Sequence, residues 1–261
     1  MNVLSEAKYE FEISWWENDG TKNFTEHPID TKYGSAEASP DPVNGLLKLR
    51  NEIYALNRYS IEVFDNVGTS GFPFQRVASA IIDRGCIGTH ASCVFLQSIA
   101  FLGGGLNEAP AIWLGNNATT VKVSTREVEQ VLQEFTEEEL NQVIVEVKVD
   151  KGHQHLYIHL PDRTLVYDAP TSSIMGAPVW FTLSSCLSGN KQYRAKNFVY
   201  CYNKWLSGDP TSYKHGELVD NISSQIPVAN FPIEFAVAGI TIIKSALSDK
   251  PICSIDSSFL I

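Results

Sequence analysis

Apolar and polar residues alternate with a period of two in several stretches of the chain. Between residues 7 and 16, large apolar residues occupy the odd positions Tyr9, Phe11, Ile13 and Trp15. Successive side chains of a strand point to opposite faces of a sheet, so this alternation predicts a half-buried strand. The polar run that follows, up to Pro42, predicts a loop.

Longer stretches repeat one pattern: a strand with an aromatic residue, a short turn and a second strand. The first, LLKLRNEIYALNRYSIEVFD at residues 46–65, predicts a β-meander. Hairpins of this kind begin near Glu52, Ser98, His155 and Asn197. This spacing is close to the roughly 40–50 residues of one propeller blade, although a β-sandwich with long loops gives a similar pattern. We therefore expect an all-β, β-propeller-like domain over residues 1–261 with one or two short helices.

One helical connector is expected at residues 125–142. Ser124 and Glu127 have the spacing of a capping box, and apolar residues follow at helical intervals: Val128, Val131, Leu132 and Phe135. Thr136 and Glu139 repeat the box and predict a second short helix. At the end of the chain, residues 226–261 contain strand-like apolar runs that have no assigned place in the fold.

Composition limits the classes of function. The formal net charge of −10 disfavours binding to phosphate backbones and anionic membranes, and 44% hydrophobic residues supply a core. Five cysteines at irregular spacings are typical of reduced, mostly buried thiols. We expect no signal peptide and no transmembrane helix, because the first residues mix charges with apolar residues and no apolar run is long enough.

The stretch GHQHLYIHL, residues 152–160, holds three of the six histidines. Strand alternation places apolar Leu156, Ile158 and Leu160 on one face, and predicts a wet opposite face with His153, His155, Tyr157 and His159. His153 and His155 are the candidate metal ligands, but zinc needs a third protein ligand that the sequence does not identify. The prediction is therefore a strand with no metal and no cofactor.

Other candidate chemistry has simpler explanations. The chain lacks the G-x-S-x-G, H-E-x-x-H, Walker A and G-x-G-x-x-G motifs. FLGGGLN, residues 101–107, predicts a hairpin loop that needs positive φ angles rather than a phosphate-binding loop. Carboxylates beside prolines indicate ordinary turns: Asp162, Asp168 and Asp209. Strand-end tryptophans are expected to be buried in the sheets: Trp113, Trp180 and Trp205.

The segment GHQHLYIHLPDRTLVYDAPTS resembles a characteristic hairpin of the packed-DNA stabilisation proteins, the tail hub or nozzle proteins of short-tailed bacteriophages of the Salmonella-phage type. The resemblance continues in FTEEELNQVIVEVKV, in HGELVDNISSQ and in the meander near the start, and it covers residues 37–225 with gaps. The residues that mark the family hairpin are His159, Leu160, Pro161, Leu165, Val166, Tyr167 and Asp168.

The resemblance implies a structural, non-enzymatic virion protein with a β-propeller body, made in the cytoplasm of the bacterial host. It implies a homo-oligomeric ring below the portal and adaptor proteins that helps to retain packaged DNA and docks a tail needle or plug and tail spikes or fibres. DNA would pass through such a ring without sequence-specific binding. The chain is shorter than the usual family member, so we expect a truncated or reduced form with an open or incomplete propeller.

Two other classes of function stay open at this stage. A carbohydrate-binding β module predicts exposed Trp113, Trp180 or Trp205 beside paired carboxylates. A hydrolase on a β-propeller predicts a cleft where at least two of five groups converge: His153, His155, His159, Asp162 and Asp168.

Overall fold

The computed structural model describes residues 2–4, 12–14, 16–18, 24–26, 36, 38–68, 73–150, 152–185, 192–210, 214–219 and 242–245. Its contacts divide the chain into two compact units, residues 1–145 and 146–261. The expectation of a single domain over residues 1–261 stays a prediction. Among the helices within the described ranges, none combines the length and the apolar character that crossing a membrane requires.

The first unit begins with two small antiparallel sheets of two strands each. Strand β1 (Asn2–Leu4) pairs with β2 (Glu12–Ser14), and β3 (Trp16–Asn18) pairs with β4 (Phe24–Glu26). Strand β2 falls inside the alternating stretch, whose first residues lie outside the described part of the chain. The β3–β4 hairpin falls inside the run predicted as loop, so that prediction is wrong there.

Two larger antiparallel sheets follow in the first unit, and each keeps its strands in chain order. Sheet A confirms the predicted meander and consists of β5 (Val43–Leu49), β6 (Glu52–Asn57), β7 (Ile61–Asn66) and β8 (Phe74–Ile82). Sheet B consists of β9 (Gly85–Cys86), β10 (Ser92–Phe95), β11 (Ser98–Gly104), β12 (Ala111–Asn116) and β13 (Thr119–Lys122). Strands β9 and β10 both pair with β11, so together they act as one interrupted edge strand.

The hairpin loop predicted at residues 101–107 is present between β11 and β12, but of its three glycines only Gly105 lies in it and none has a positive φ angle. Gly103 and Gly104 are the last residues of β11, and the positive φ in this segment belongs to Asn107, at 66°. A Cβ atom on Gly103 would lie 1.9 Å from the carbonyl oxygen of Gly85 on the paired strand β9. Glycine is therefore required here by close backbone approach.

The predicted helical connector contains two helices, α1 (Arg126–Gln133) and α2 (Glu137–Asn141). Thr136 and Glu139 form the predicted capping box of α2. The box predicted at Ser124 is wrong by one residue, because the hydroxyl of Thr125 caps α1 by accepting from the Val128 N–H. The Ser124 hydroxyl instead accepts from the Ile112 N–H of β12.

The second unit contains two further antiparallel sheets with strands in chain order. Sheet C consists of β14 (Ile144–Asp150), in which the second unit begins, β15 (His153–His159), β16 (Thr164–Asp168) and β17 (Trp180–Leu183). Sheet D consists of β18 (Lys196–Cys201), β19 (Lys204–Asp209), β20 (Lys214–Val219) and β21 (Ile242–Ser245). Strand β21 places part of residues 226–261 in sheet D, and the rest of that stretch lies outside the described residues.

The four predicted hairpins are present as β6–β7, β11–β12, β15–β16 and β18–β19. Strand β16 is central in sheet C and buried along its whole length, so it fixes the position of β15 beside it. Leu156 and Ile158 of β15 are fully buried. Burial of a side chain of this size contributes about 1.5–3 kcal/mol to the free energy of unfolding.

A third helix, α3 (Ala169–Met175), connects β16 to β17. Asp168 caps its first turn, Pro170 occupies that turn, and Gly176 ends the helix with a φ of 69°. The prediction of an ordinary turn at Asp168 is therefore wrong, although an acidic cap, an early proline and a terminal glycine are the standard signals of a helix.

Candidate functional site

Strand β15 places its histidines on one face at increasing depth. The side chain of His153 is 53% exposed, that of His155 is 20% exposed and that of His159 is fully buried. The prediction of a wet face is therefore wrong for the second half of the strand. Phe198 of β18 covers this part, with its ring centroid 4.8 Å from that of Tyr157 and 6.1 Å from that of His159.

At the buried end, the His159 ring lies between Glu146 of β14 and Thr164 of β16. Its Nδ1 lies 3.1 Å from the Thr164 hydroxyl, and its Nε2 lies 2.8 Å from Oε1 of Glu146, off the direction of a linear hydrogen bond. Burial lowers the pKa of His159 below its usual value, and the Glu146 carboxylate offsets this in part. The ring is therefore neutral at pH 7.

The carboxylate of Glu146 also binds the backbone of the next sheet. Its two oxygens accept hydrogen bonds from the N–H groups of Asn197, at 2.9 Å, and Phe198, at 2.8 Å. The register of β18 with β19 shifts between Lys196 and Val199, so these two N–H groups lie at a bulge in the ladder. Glu146 thus satisfies donors that the bulge exposes and connects sheet C to sheet D.

At the outer end, His153 and His155 meet Asp168 of β16. Asp168 is the direct cross-strand partner of His155. Its Oδ2 lies 3.6 Å from Nδ1 of His153 and 3.6 Å from Nε2 of His155. The two imidazoles stack with their centroids 5.6 Å apart and their planes inclined by 17°.

Hydrogen bonds at the start of α3 hold the Asp168 carboxylate in place. Its Oδ1 accepts from the Thr171 N–H at 3.2 Å, and its Oδ2 accepts from the Thr171 hydroxyl at 2.6 Å. Burial raises the pKa of Asp168, but the Thr171 hydrogen bonds and the nearby His155 outweigh it, and the net pKa is lowered. Burial also lowers the pKa of His155, against the opposing effect of Asp168. At pH 7 an ionised carboxylate therefore faces a neutral imidazole.

The three outer groups can hold a cation. One donor atom from each of His153, His155 and Asp168 lies within 4.8 Å of the other two. The sequence identifies the two histidines but not the third group, because Asp168 is thirteen residues beyond His155 and only the β15–β16 register brings it there. The signal that could have identified Asp168 is a His-x-His pair in the first strand of a hairpin and an acidic residue at the position of the second strand that pairs with it.

The residues that mark the family hairpin serve mostly as core. Leu160, Leu165 and Val166 are fully buried, and Tyr167 packs against Trp180 with ring centroids 5.2 Å apart. Pro161 lies exposed at the turn. Most residues that mark the family hairpin therefore have a packing role. The exceptions are His159 and Asp168, which belong to the two polar sites.

The remaining candidates do not join these sites. Asp162 forms an ion pair with its neighbour Arg163, and Asp209 binds Arg194. Trp180 is fully buried as predicted, while Trp113 is half-buried with the guanidinium of Arg84 4.3 Å above its ring. Trp205 is half-buried and contacts the ring of Tyr200. His153, His155 and Asp168 do converge, as a hydrolase requires, whereas His159 and Asp162 lie apart from them with other partners.

Antiparallel sheets of about four strands each, with the strands in chain order, are the blades of a β-propeller-type protein. The family model described as "Bacteriophage P22 Gp10, beta-propeller" matches residues 23–223, which is more than half of the chain. The chain belongs to this family.

A curated relative and a solved structure are similar to the chain over most of its length. The "Tail hub protein gp10" of Salmonella phage P22 is 30% identical over 223 residues, which is 80% of this chain and 46% of the relative. The chain thus spans less than half the length of that relative. A solved GH43 glycoside hydrolase with an engineered active site aligns over 84% of this chain and 48% of its own, at 14% identity and a TM-score of 0.39. A similarity of that size carries no argument about function.

Proposed function

We propose that this protein is a structural component of a short-tailed phage virion and forms part of the tail hub. The observation that carries the proposal is the family match over residues 23–223, together with 30% identity to a protein named as a tail hub protein. The sheets support it, because each larger sheet has the antiparallel, chain-order strands of a propeller blade, as the family model describes. The protein acts by assembly and not by catalysis.

The assembled form is a homo-oligomeric ring below the portal and adaptor proteins of the tail. A ring requires head-to-tail contacts that close around a rotation axis. In this position the ring helps to retain packaged DNA and docks a tail needle or plug and the tail spikes or fibres. The protein is then located in the virion, after synthesis in the cytoplasm of the bacterial host.

DNA passes through the ring without adhering to it. The chain carries 30 acidic and 20 basic residues, a formal net charge of −10. Proteins hold DNA mainly by neutralising phosphates with lysine and arginine, so an excess of carboxylates repels the duplex. Retention of the genome therefore depends on closure of the channel by the docked plug.

Mass photometry of the protein with the assembled portal and adaptor complex of the same phage tests the proposal. We expect the mass of the complex to rise by a whole number of 29.0 kDa chains that matches the symmetry of the ring. The portal and adaptor complex of an unrelated phage is the control, and its mass should not change. No association with either complex at micromolar concentration would contradict the proposal for this chain.

A further inference from the structure

The outer histidines of β15 and the facing carboxylate form a set of donors on two paired strands. His153 and His155 are two residues apart on one face, and Asp168 is the cross-strand partner of His155. Imidazole nitrogen and carboxylate oxygen are the ligands that zinc and related divalent ions take in proteins. Neighbours in paired strands hold their spacing without help from a loop, so the set is preorganised by the sheet.

The distances suit one ion held by all three groups. Ligand bonds to zinc of about 2.0–2.2 Å in tetrahedral geometry separate the ligand atoms by about 3.4 Å. The Asp168 oxygen lies 3.6 Å from a nitrogen of each histidine, and all three donor atoms lie within 4.8 Å of one another. A rotation of the half-exposed His153 side chain would bring its nitrogen closer to that of His155, to the separation that two ligands of one ion require.

The surroundings of the set resemble the outer shell of a metal site. Two hydrogen bonds from Thr171 orient the Asp168 carboxylate, and outer hydrogen bonds of this kind fix the ligands of known sites. The positive charge of Lys148 acts on His155 and weakens cation binding, while the ionised Asp168 offsets it. The exposed side of His153 leaves one coordination position open to water.

We propose that His153, His155 and Asp168 bind a divalent transition-metal ion of the zinc class, with water in the fourth coordination position. The ion joins β15, β16 and the start of α3 and stabilises this end of sheet C. The proposal does not depend on the tail-hub role, and each can fail without the other.

Thermal unfolding of untagged protein, first stripped with a chelator, measures the effect. Adding zinc at about 100 times its dissociation constant should raise the melting temperature by about 5 °C or more, because an ion that binds only the folded state stabilises it. Calorimetric titration should give one ion per chain. Cobalt in place of zinc should give the visible absorption of a four-coordinate site with nitrogen and oxygen ligands.

Two variants remove single ligands and should keep the fold. His153→Gln alters a half-exposed side chain, and Asp168→Asn removes the charge while asparagine remains a good helix cap. Each should weaken zinc binding more than about tenfold and abolish the rise in melting temperature. His90→Gln, which alters an exposed histidine in the first unit, is the matched control and should bind zinc as the parent does.

Two results would overturn the proposal. One is the absence of saturable zinc binding to the parent protein. The other is unchanged binding by both His153→Gln and Asp168→Asn, which would place the ion on other donors such as the thiols of Cys86, Cys93 or Cys201. Because both variants retain every cysteine, loss of binding in them cannot be attributed to a thiol site.

Discussion

His159 carries an ionisable ring into the interior of sheet C. The ring is fully buried between Glu146, Thr164 and Phe198, and its pKa is lowered chiefly by that burial. Glu146 beside it uses its carboxylate to bind two backbone N–H groups of β18. A positive charge on the buried imidazole would lack solvation by water, which costs free energy. Protonation of His159 should therefore destabilise the contact between sheets C and D.

Stability should therefore fall in acid through His159. The unfolded chain protonates this ring near its ordinary pKa of about 6.5, whereas the folded protein does so only at lower pH. The folded state thus loses free energy of unfolding as pH falls below about 6.5, by at most about 1.4 kcal/mol per pH unit from this residue. Urea unfolding at pH 7.5 and 5.5 should show a smaller loss for His159→Gln than for the parent.

The comparison needs a histidine that is not buried. His90 is exposed, so His90→Gln should lose as much stability between the two pH values as the parent does. Equal losses for His159→Gln and the parent would show that burial of His159 does not contribute to the acid sensitivity.

Among the strands, β11 shows how closely paired backbones limit side chains. Its Gly103 pairs with Cys86 of β9, and a Cβ atom there would meet the Gly85 carbonyl oxygen at 1.9 Å. Gly85 is itself confined, since its own Cβ would lie 2.3 Å from the carbonyl oxygen of Asn57 in sheet A. Glycines at these two positions allow β9 to pair closely with β11 in sheet B while its backbone approaches the β6–β7 turn of sheet A.

Gly103→Ala should therefore destabilise the first unit. The added methyl group meets backbone rather than a flexible side chain, and overpacking of this kind costs roughly 1–3 kcal/mol, with this site near the upper end. Gly104→Ala is the matched control, because the nearest atom to its added Cβ would be the Ala109 carbonyl oxygen, at 3.2 Å. Urea unfolding of both should show the larger loss for Gly103→Ala, and equal losses would contradict the close approach.

For the whole molecule, charge and architecture point in the same direction. The blade-like sheets and the family match support the proposed role in a phage tail, and the net charge of −10 predicts that the protein repels DNA. Long-range repulsion of this kind depends on the total charge and its screening, and not on any one residue.

DNA binding should accordingly be absent under physiological conditions. Non-specific DNA-binding proteins have dissociation constants of about 10⁻⁴–10⁻⁶ M at physiological salt, and we expect weaker binding here because carboxylates outnumber basic groups. Fluorescence anisotropy of a labelled duplex with up to about 10 μM protein should show no saturable change. At low salt the repulsion is screened less, so binding should be weaker still. Micromolar binding in either buffer would contradict the proposal that DNA passes through without binding.

Local patterns in the sequence determined most of the elements. The repeated pattern of a strand, a short turn and a second strand predicted the meander of sheet A and the four hairpins. The Thr136–Glu139 spacing predicted the capping box of α2, because both kinds of interaction join residues near one another in the chain. Asp168, Pro170 and Gly176 are local signals for α3, but an aspartate beside a proline is equally typical of a turn. Resemblance to the family rested on the same segments and was confirmed by the match over residues 23–223.

Only the tertiary structure decided what each face of β15 contacts. Alternation separates His159 from Ile158 but does not show that Phe198, about forty residues further on, covers the polar face. Glu146 alternates with valines in the sequence, as a solvent-exposed strand residue does. Its carboxylate instead binds backbone N–H groups that a bulge in β18 leaves without a strand partner. Asp168 reaches the outer histidines through strand register. Burial and convergence depend on contacts between distant segments, and periodicity along one strand carries no information about them.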